Sequence, residues 1–247
     1  TGNELLILII PAVLAVLLLA LLSLEHLLLL TLFLAPLSLQ LSYLTGSTGF
    51  DLSVPTEPVM ALLLLITLFR LTVTRGFPKE LLRHPMTWMV GLYLLWTFIT
   101  ALTSTMPGVS FKTLAYRLWF TAGFYLVAAR LAYDERFRKR YILAYATGLA
   151  VVVIYFIVRV QGAGLLNQQF AHSACYPFYK DHTSFGASMA FILPPLTVML
   201  FSRGSLWHRG FLAALLLIFV AGFVLSYSRA AWVSLIAAAA LTLILWI

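Results

Sequence analysis

Apolar residues run along this chain in blocks of roughly twenty, separated by short polar breaks, without the one-by-one alternation of a membrane β-barrel. At ~1.5 Å rise per residue, such a block crosses a hydrocarbon core of ~30 Å as a helix. The breaks predict nine helices, over residues 5–23, 27–44, 58–74, 86–103, 111–131, 141–160, 184–201, 210–226 and 229–247. Only Glu25 and His26 part the first two, which form either a tight hairpin or one broken element. Pro11 and Pro36 fall inside these runs, a pattern membrane helices tolerate when neighbours re-satisfy the freed carbonyls. No internal repeat or flexible linker is visible. The expected fold is an all-α polytopic membrane bundle of about nine spans, forming one transmembrane domain over residues 1–247.

Composition narrows the class further. Of 247 residues, 62% are hydrophobic and 10% charged, whereas soluble domains carry about 25% charged residues. A soluble enzyme and a disordered chain are both excluded. Lys and Arg outnumber Asp and Glu by 16 to 8, but the basic residues sit between apolar runs rather than in a solvated patch, so nucleic acid is not an expected partner. Eleven of them fall in three alternate connections: Arg70, Arg75, Lys79 and Arg83; then Arg130, Arg136, Arg138, Lys139 and Arg140; then Arg203 and Arg209. The positive-inside rule makes these connections cytoplasmic. The single cysteine, Cys175, leaves no internal disulfide or redox pair. The chain starts at Thr1 and ends within an apolar run, so it is expected to belong to a longer protein.

Five cations then remain on the outer side: Lys112, Arg117, Arg159, Lys180 and Arg229. A cation near hydrocarbon is costly, ~2.5–3.5 kcal/mol at a helix centre, so their retention there points to an anion. Ser110 is a plausible N-cap for the fifth helix, which puts Arg117 roughly two turns in, about 10 Å below the start. Lys112 then shares a stripe with Tyr116, and Thr113 with Arg117. The bland alternative is that Lys112, Arg117 and Arg159 snorkel to headgroups.

The longest polar stretch is 161–183, in which Lys180, Asp181 and His182 are consecutive where the seventh helix begins. Asp181, Thr183 or Ser184 could simply cap that helix. The same geometry suits a phosphate, with Lys180 as a point charge and the unpaired amides behind it. His182 is a candidate general base. His172 and His182 lack helical spacing and a third ligand, so no metal site and no cofactor are expected. Arg229 lies in Leu225-Ser-Tyr-Ser-Arg-Ala-Ala-Trp232, a tight turn between two helices. A cation beside fresh helix amides is unfavourable unless an anion shares the spot, and Arg grips phosphate bidentately. The structural alternative pairs Arg229 with Asp181 or Glu57.

Two segments carry a resemblance. Tyr179-Lys-Asp-His-Thr-Ser-Phe-Gly186 followed by Ala187-Ser-Met-Ala-Phe-Ile-Leu-Pro194, and Leu225-Ser-Tyr-Ser-Arg-Ala-Ala-Trp232, resemble the O-antigen ligase and Wzy polymerase superfamily, in its ligase-like branch. Asp51-Leu-Ser-Val-Pro-Thr-Glu-Pro58 is a weaker echo. The resemblance covers roughly residues 50–247. It implies a metal-independent glycosyltransferase with a GT-C-like fold in the bacterial inner membrane, its site facing the periplasm. The donor would be a polyprenyl-diphosphate-linked glycan and the acceptor a lipid A-core or a growing glycan. Arg229, Lys180, Arg117 and Lys112 are the expected diphosphate ligands, with His182 and Asp181 as catalytic candidates. In that superfamily a large periplasmic loop nearer the C-terminus carries an important His. None follows Trp232 in this sequence, so the main base is expected outside these residues.

Two other classes compete. A flippase or transporter for an anionic lipid-linked substrate would use similar cations, but should also show repeated halves and ionisable residues in mid-span. A membrane scaffold would leave the clustered outer charge without a purpose.

Overall fold

A computed structural model describes residues 22–40, 53–73, 81, 83–165, 167–202 and 205–246, together with Val16 and Leu18. The chain is mostly helical. In order come α1 (Leu24–Leu34), a 3-10 turn (Ala35–Leu37), β1 (Leu39–Gln40), β2 (Ser53–Val54), α2 (Thr56–Val73), α3 (Pro85–Leu102) and α4 (Pro107–Phe120). A π-helical stretch, Thr121–Val127, leads into α5 (Ala128–Leu131). Then follow α6 (Glu135–Ala163), α7 (Gln168–Ala174), α8 (His182–Phe201), α9 (Leu206–Leu225) and α10 (Arg229–Trp246).

Among the described residues, α3, α6, α8 and α9 are long and apolar enough to cross a membrane. That is the make-up of a helical membrane protein. The predicted runs from the third onward each coincide with helix. The predicted run 5–23 lies almost wholly outside the described residues. The run 27–44 is corrected: α1 ends at Leu34, the chain tightens at Pro36, and Leu39–Gln40 pair antiparallel with Ser53–Val54. Proline without an N–H, whose ring would also meet the preceding turn, accounts for the stop. Residues 41–44 are not described.

Helix starts follow local chemistry. Pro85 and Pro107 stand at first helical positions, where a fixed φ is already helical and the missing N–H is no loss. Ser205 caps α9 by accepting from the His208 amide at 3.3 Å. Ser110 is not the cap it was expected to be. The helix begins three residues earlier at Pro107, and Ser110 instead meets Ser104 hydroxyl to hydroxyl at 2.7 Å. Arg117 therefore lies ten residues into its helix, about 15 Å along it.

The chain divides into two compact units, Thr1–Thr31 with Pro55–Arg138, and Leu32–Val54 with Lys139–Ile247. In the first, α3 and α4 are successive helices joined by a short turn, and α2 packs on α4 and on the π stretch. The Thr87 and Tyr125 hydroxyls meet at 2.7 Å, tying the start of α3 to that stretch. In the second, α8 packs against α9 and α10 around buried Phe156, Phe185, Phe219, Met189, Ile192 and Leu196. Lipid tails are as apolar as these side chains, so helix association in a membrane depends on close packing and small residues. Gly148 shows this: the Phe33 carbonyl occupies the space a Cβ would need.

Candidate functional site

The second unit brings the two singled-out segments together. Gly186, in the second turn of α8, faces the turn before α10 so closely that a Cβ there would lie 2.7 Å from the Ser228 Cβ and 3.0 Å from the Ala231 Cβ. Only a glycine lets the Tyr179–Gly186 segment meet the Ser226–Trp232 segment in this way. Each segment opens a helix, so the first turns of α8 and α10 lie side by side, with the amides of both starting at one end of the unit. At ~1.5 Å per residue, Gly186 is only about 6 Å along α8 from its first residue.

The turn itself is tightly made. Tyr227 has φ 51°, left-handed backbone that costs a non-glycine residue roughly 1–2 kcal/mol. Its hydroxyl donates to the Leu165 carbonyl at 3.1 Å. Ser226 and Ser228, both buried, hold the flanks: Ser226 Oγ donates to the Phe223 carbonyl at 2.8 Å, and Ser228 Oγ accepts from the Ala231 amide at 3.4 Å. The Trp232 indole N–H donates to the Phe223 carbonyl at 3.1 Å, closing the turn from the other side. Arg229 emerges from this frame as the first residue of α10, exposed, with no hydrogen bond or ion pair among the described residues. The structural alternative, a pairing with Asp181, is not what is seen: that carboxylate is engaged by Ser184.

Asp181 is the N-cap of α8. It accepts from the Ser184 amide at 2.7 Å and from the Ser184 hydroxyl at 2.9 Å. These two bonds hold its carboxyl below the ordinary carboxylate range. Of the roles considered from sequence, capping is the one this geometry displays. Lys180, one residue earlier, is exposed and carries no partner among the described residues.

His182 opens α8 with its ring stacked on His172, centroids 3.8 Å apart and planes 10° from parallel. The buried His172 Nε2 has no hydrogen-bond partner among the described residues. Among the described residues no group of three or more His, Cys, Asp or Glu side chains could hold a metal ion. Cys175 lies beneath the stretch between α7 and α8, where burial pushes its thiol up to about 11, so it is a poor nucleophile near neutral pH.

The polar stretch 161–183 is more ordered than a loop reading implies. It contains α7, capped by Asn167, which accepts from the Phe170 amide at 3.1 Å. Arg159 holds this stretch in place rather than reaching toward headgroups. Its guanidinium donates to the Tyr176 carbonyl at 2.7 Å and the Ala174 carbonyl at 3.2 Å, with the Tyr155 ring 5.5 Å away. The histidine stack, α7 and the latch role of Arg159 were all missed from sequence. Asn167 as a cap was a readable signal for α7, while the other two depend on tertiary contact.

Lys112 and Arg117 belong to the first unit. The Lys112 ammonium lies 5.4 Å from the Tyr116 ring centroid, the stripe the helical spacing predicts. The Arg117 guanidinium lies 4.8 Å over the Tyr93 ring. No protein-family model, curated protein or solved structure matches this chain.

Proposed function

We propose that this chain is a glycosyltransferase, acting on a polyprenyl-diphosphate-linked glycan at the outer face of a bacterial inner membrane. The observation that carries the reading is the Gly186–Ser228 contact, which sets two helix starts side by side with Lys180 before one and Arg229 on the other. The start of α10 contributes about half a positive charge, that of α8 being met by the Asp181 carboxylate, and the two cations add theirs with no carboxylate partner among the described residues. A diphosphate is the anion such a place suits: several negative oxygens, spread over more than one binding group.

The chemistry follows from charge development. An acceptor hydroxyl oxygen attacks the anomeric carbon of the donor while the bond from that carbon to the diphosphate oxygen breaks. The bonding pair leaves with the diphosphate, and negative charge grows there in the transition state. Arg229 and Lys180 stabilise that growth, a role in which one preorganised donor typically contributes ~2.7–4 kcal/mol. The hydroxyl proton passes to a base, for which His182 is the candidate in these residues. Asp181 sets the start of α8 and so the position of both its neighbours. The overall fold is read as GT-C-like, and ligation to lipid A-core is the preferred reaction.

Lipopolysaccharide profiling tests this in a deletion strain complemented with wild type or Arg229→Ala. The expected outcome is loss of capped polysaccharide with accumulation of lipid-linked glycan in Arg229→Ala at normal expression. Capping by single repeats indicates a polymerase instead. An unchanged profile in both Arg229→Ala and His182→Ala removes these residues from the mechanism.

A further inference from the structure

The first unit carries a cation in a costlier place than any at the α8–α10 end. A cavity of about 400 Å³ is lined by Tyr93, Thr113, Tyr116, Arg117, Phe120 and Thr121. Tyr93 is the ninth of eighteen residues in α3, about 12 Å from either helix end. The window of α3 apolar enough to cross a membrane is only 6% buried among the described residues, the exposure expected of a helix that meets lipid. Tyr93 and Phe120 are themselves 46% and 51% exposed, so the cavity is open rather than enclosed. Arg117 thus stands level with the middle of α3, beside an exposed apolar face, which is mid-span depth if α3 crosses a membrane.

Its side chain packs on α3. It lies over the Tyr93 ring at 4.8 Å. A cation at a helix centre costs ~2.5–3.5 kcal/mol on insertion scales, and a cation–π contact returns about 0.5–2 kcal/mol. No carboxylate makes an ion pair with Arg117 among the described residues. The balance is made up if an anion enters. Thr121 supports one: it begins the π-helical stretch, its amide is spent on the Arg117 and Leu118 carbonyls, and its hydroxyl has no partner among the described residues. π-helical turns inside α-helices recur at functional sites. The Tyr93, Tyr116 and Phe120 rings give the rest of the wall an apolar surface suited to a hydrocarbon chain.

We propose that this cavity binds the phosphate of an anionic membrane lipid, with Arg117 as the phosphate ligand, Thr121 as a hydroxyl donor and the aromatic wall along the lipid chain. The volume holds a phosphate and the start of a chain. This site does not rest on the diphosphate reading of Arg229 and Lys180, and the two are separable: transfer in Arg229→Ala bears on one, lipid retention in Arg117→Gln on the other.

The test uses the full chain in detergent micelles, with bound lipid counted by native mass spectrometry during titration with phosphatidylglycerol, a polyprenyl phosphate, phosphatidylcholine or inorganic phosphate. The expected result is at least tenfold tighter retention of the first two over phosphatidylcholine. That preference falls about tenfold in Arg117→Gln and is partly kept in Arg117→Lys. If Arg117→Gln does not fold, Thr113→Trp fills the cavity from an exposed position while leaving the cation, and the same loss is expected. No preference for the anionic lipids in wild type, or an undiminished preference in folded Arg117→Gln or Thr113→Trp, overturns the site. Inorganic phosphate binding as tightly as the lipids overturns the lipid as its source.

Discussion

Arg229 and Arg159 sit in the same unit, close in kind and opposite in use. Arg159 is half-buried and spends its guanidinium on the Ala174 and Tyr176 carbonyls, locking the stretch between α7 and α8. Arg229 follows a turn fixed by Ser226, the left-handed Tyr227 and Ser228, but its guanidinium engages no partner among the described residues. A position in sequence near the outer end of a helix does not tell the two apart. What separates them is whether the protein supplies the acceptor. On the proposed function, the turn offers its unengaged cation to a ligand, while a cation satisfied by carbonyls is a piece of scaffold.

The largest effect is expected where the two segments meet. Gly186→Val should destabilise the second unit by about 1–3 kcal/mol or more, since the opposing Cβ atoms belong to backbone-fixed Ser228 and Ala231 and cannot swing away. Even Gly186→Ala should lower thermal stability, against the ~1 kcal/mol that alanine normally gains over glycine in a helix. A thermal midpoint equal to or above wild type in Gly186→Ala would mean the contact is loose. Next in size is Arg159→Gln. Hydrogen bonds to a charged group contribute about 1.5–3 kcal/mol, so this change should release the 164–180 stretch, seen as faster amide exchange there with α8 and α9 still protected. Protection unchanged in that stretch would reduce Arg159 to an idle surface charge and end the contrast with Arg229.

A smaller effect concerns the cap. Asp181→Ala should cost about 1 kcal/mol. The sign with pH is fixed by a carboxyl held below its ordinary range: the stabilisation is whole above the unfolded carboxyl pKa and is lost as pH falls through the lowered folded value. Wild type and Asp181→Ala should therefore differ in thermal midpoint at neutral pH and converge in acid. A difference that persists unchanged in acid would show that Asp181 acts other than as an ionised cap.

Much of the fold was written in the sequence because a membrane selects helices by composition. The runs at 86–103, 184–201 and 210–226 match α3, α8 and α9 to within a few residues. Where the expectation slipped, a local rule had been overridden. Ser110 was a plausible cap, but Pro107 starts the helix sooner because its φ is already helical. The run ending at residue 44 continued through Pro36 because its apolarity hid the proline's cost. The π-helical stretch at Thr121–Val127 has no residue signature that separates it from ordinary helix. Of the candidate site, the capping role of Asp181 was readable, since Asp before a helix start is a strong signal. The Gly186–Ser228 contact was not, because it joins positions more than forty residues apart and only packing reveals it. Nor was the stacking of His182 on His172, which sets the surroundings of the candidate base.

The most direct measurement is the binding of a short polyprenyl diphosphate to the purified full chain by calorimetry, compared between wild type and Arg229→Ala. Arg229→Ala is expected to keep the wild-type thermal midpoint, its guanidinium having no partner to lose among the described residues, while affinity falls at least tenfold, about 1.4 kcal/mol. Equal affinity in the two proteins, or a binding loss that appears only together with a collapse of thermal stability, would contradict it and return Arg229 to the scaffold alongside Arg159.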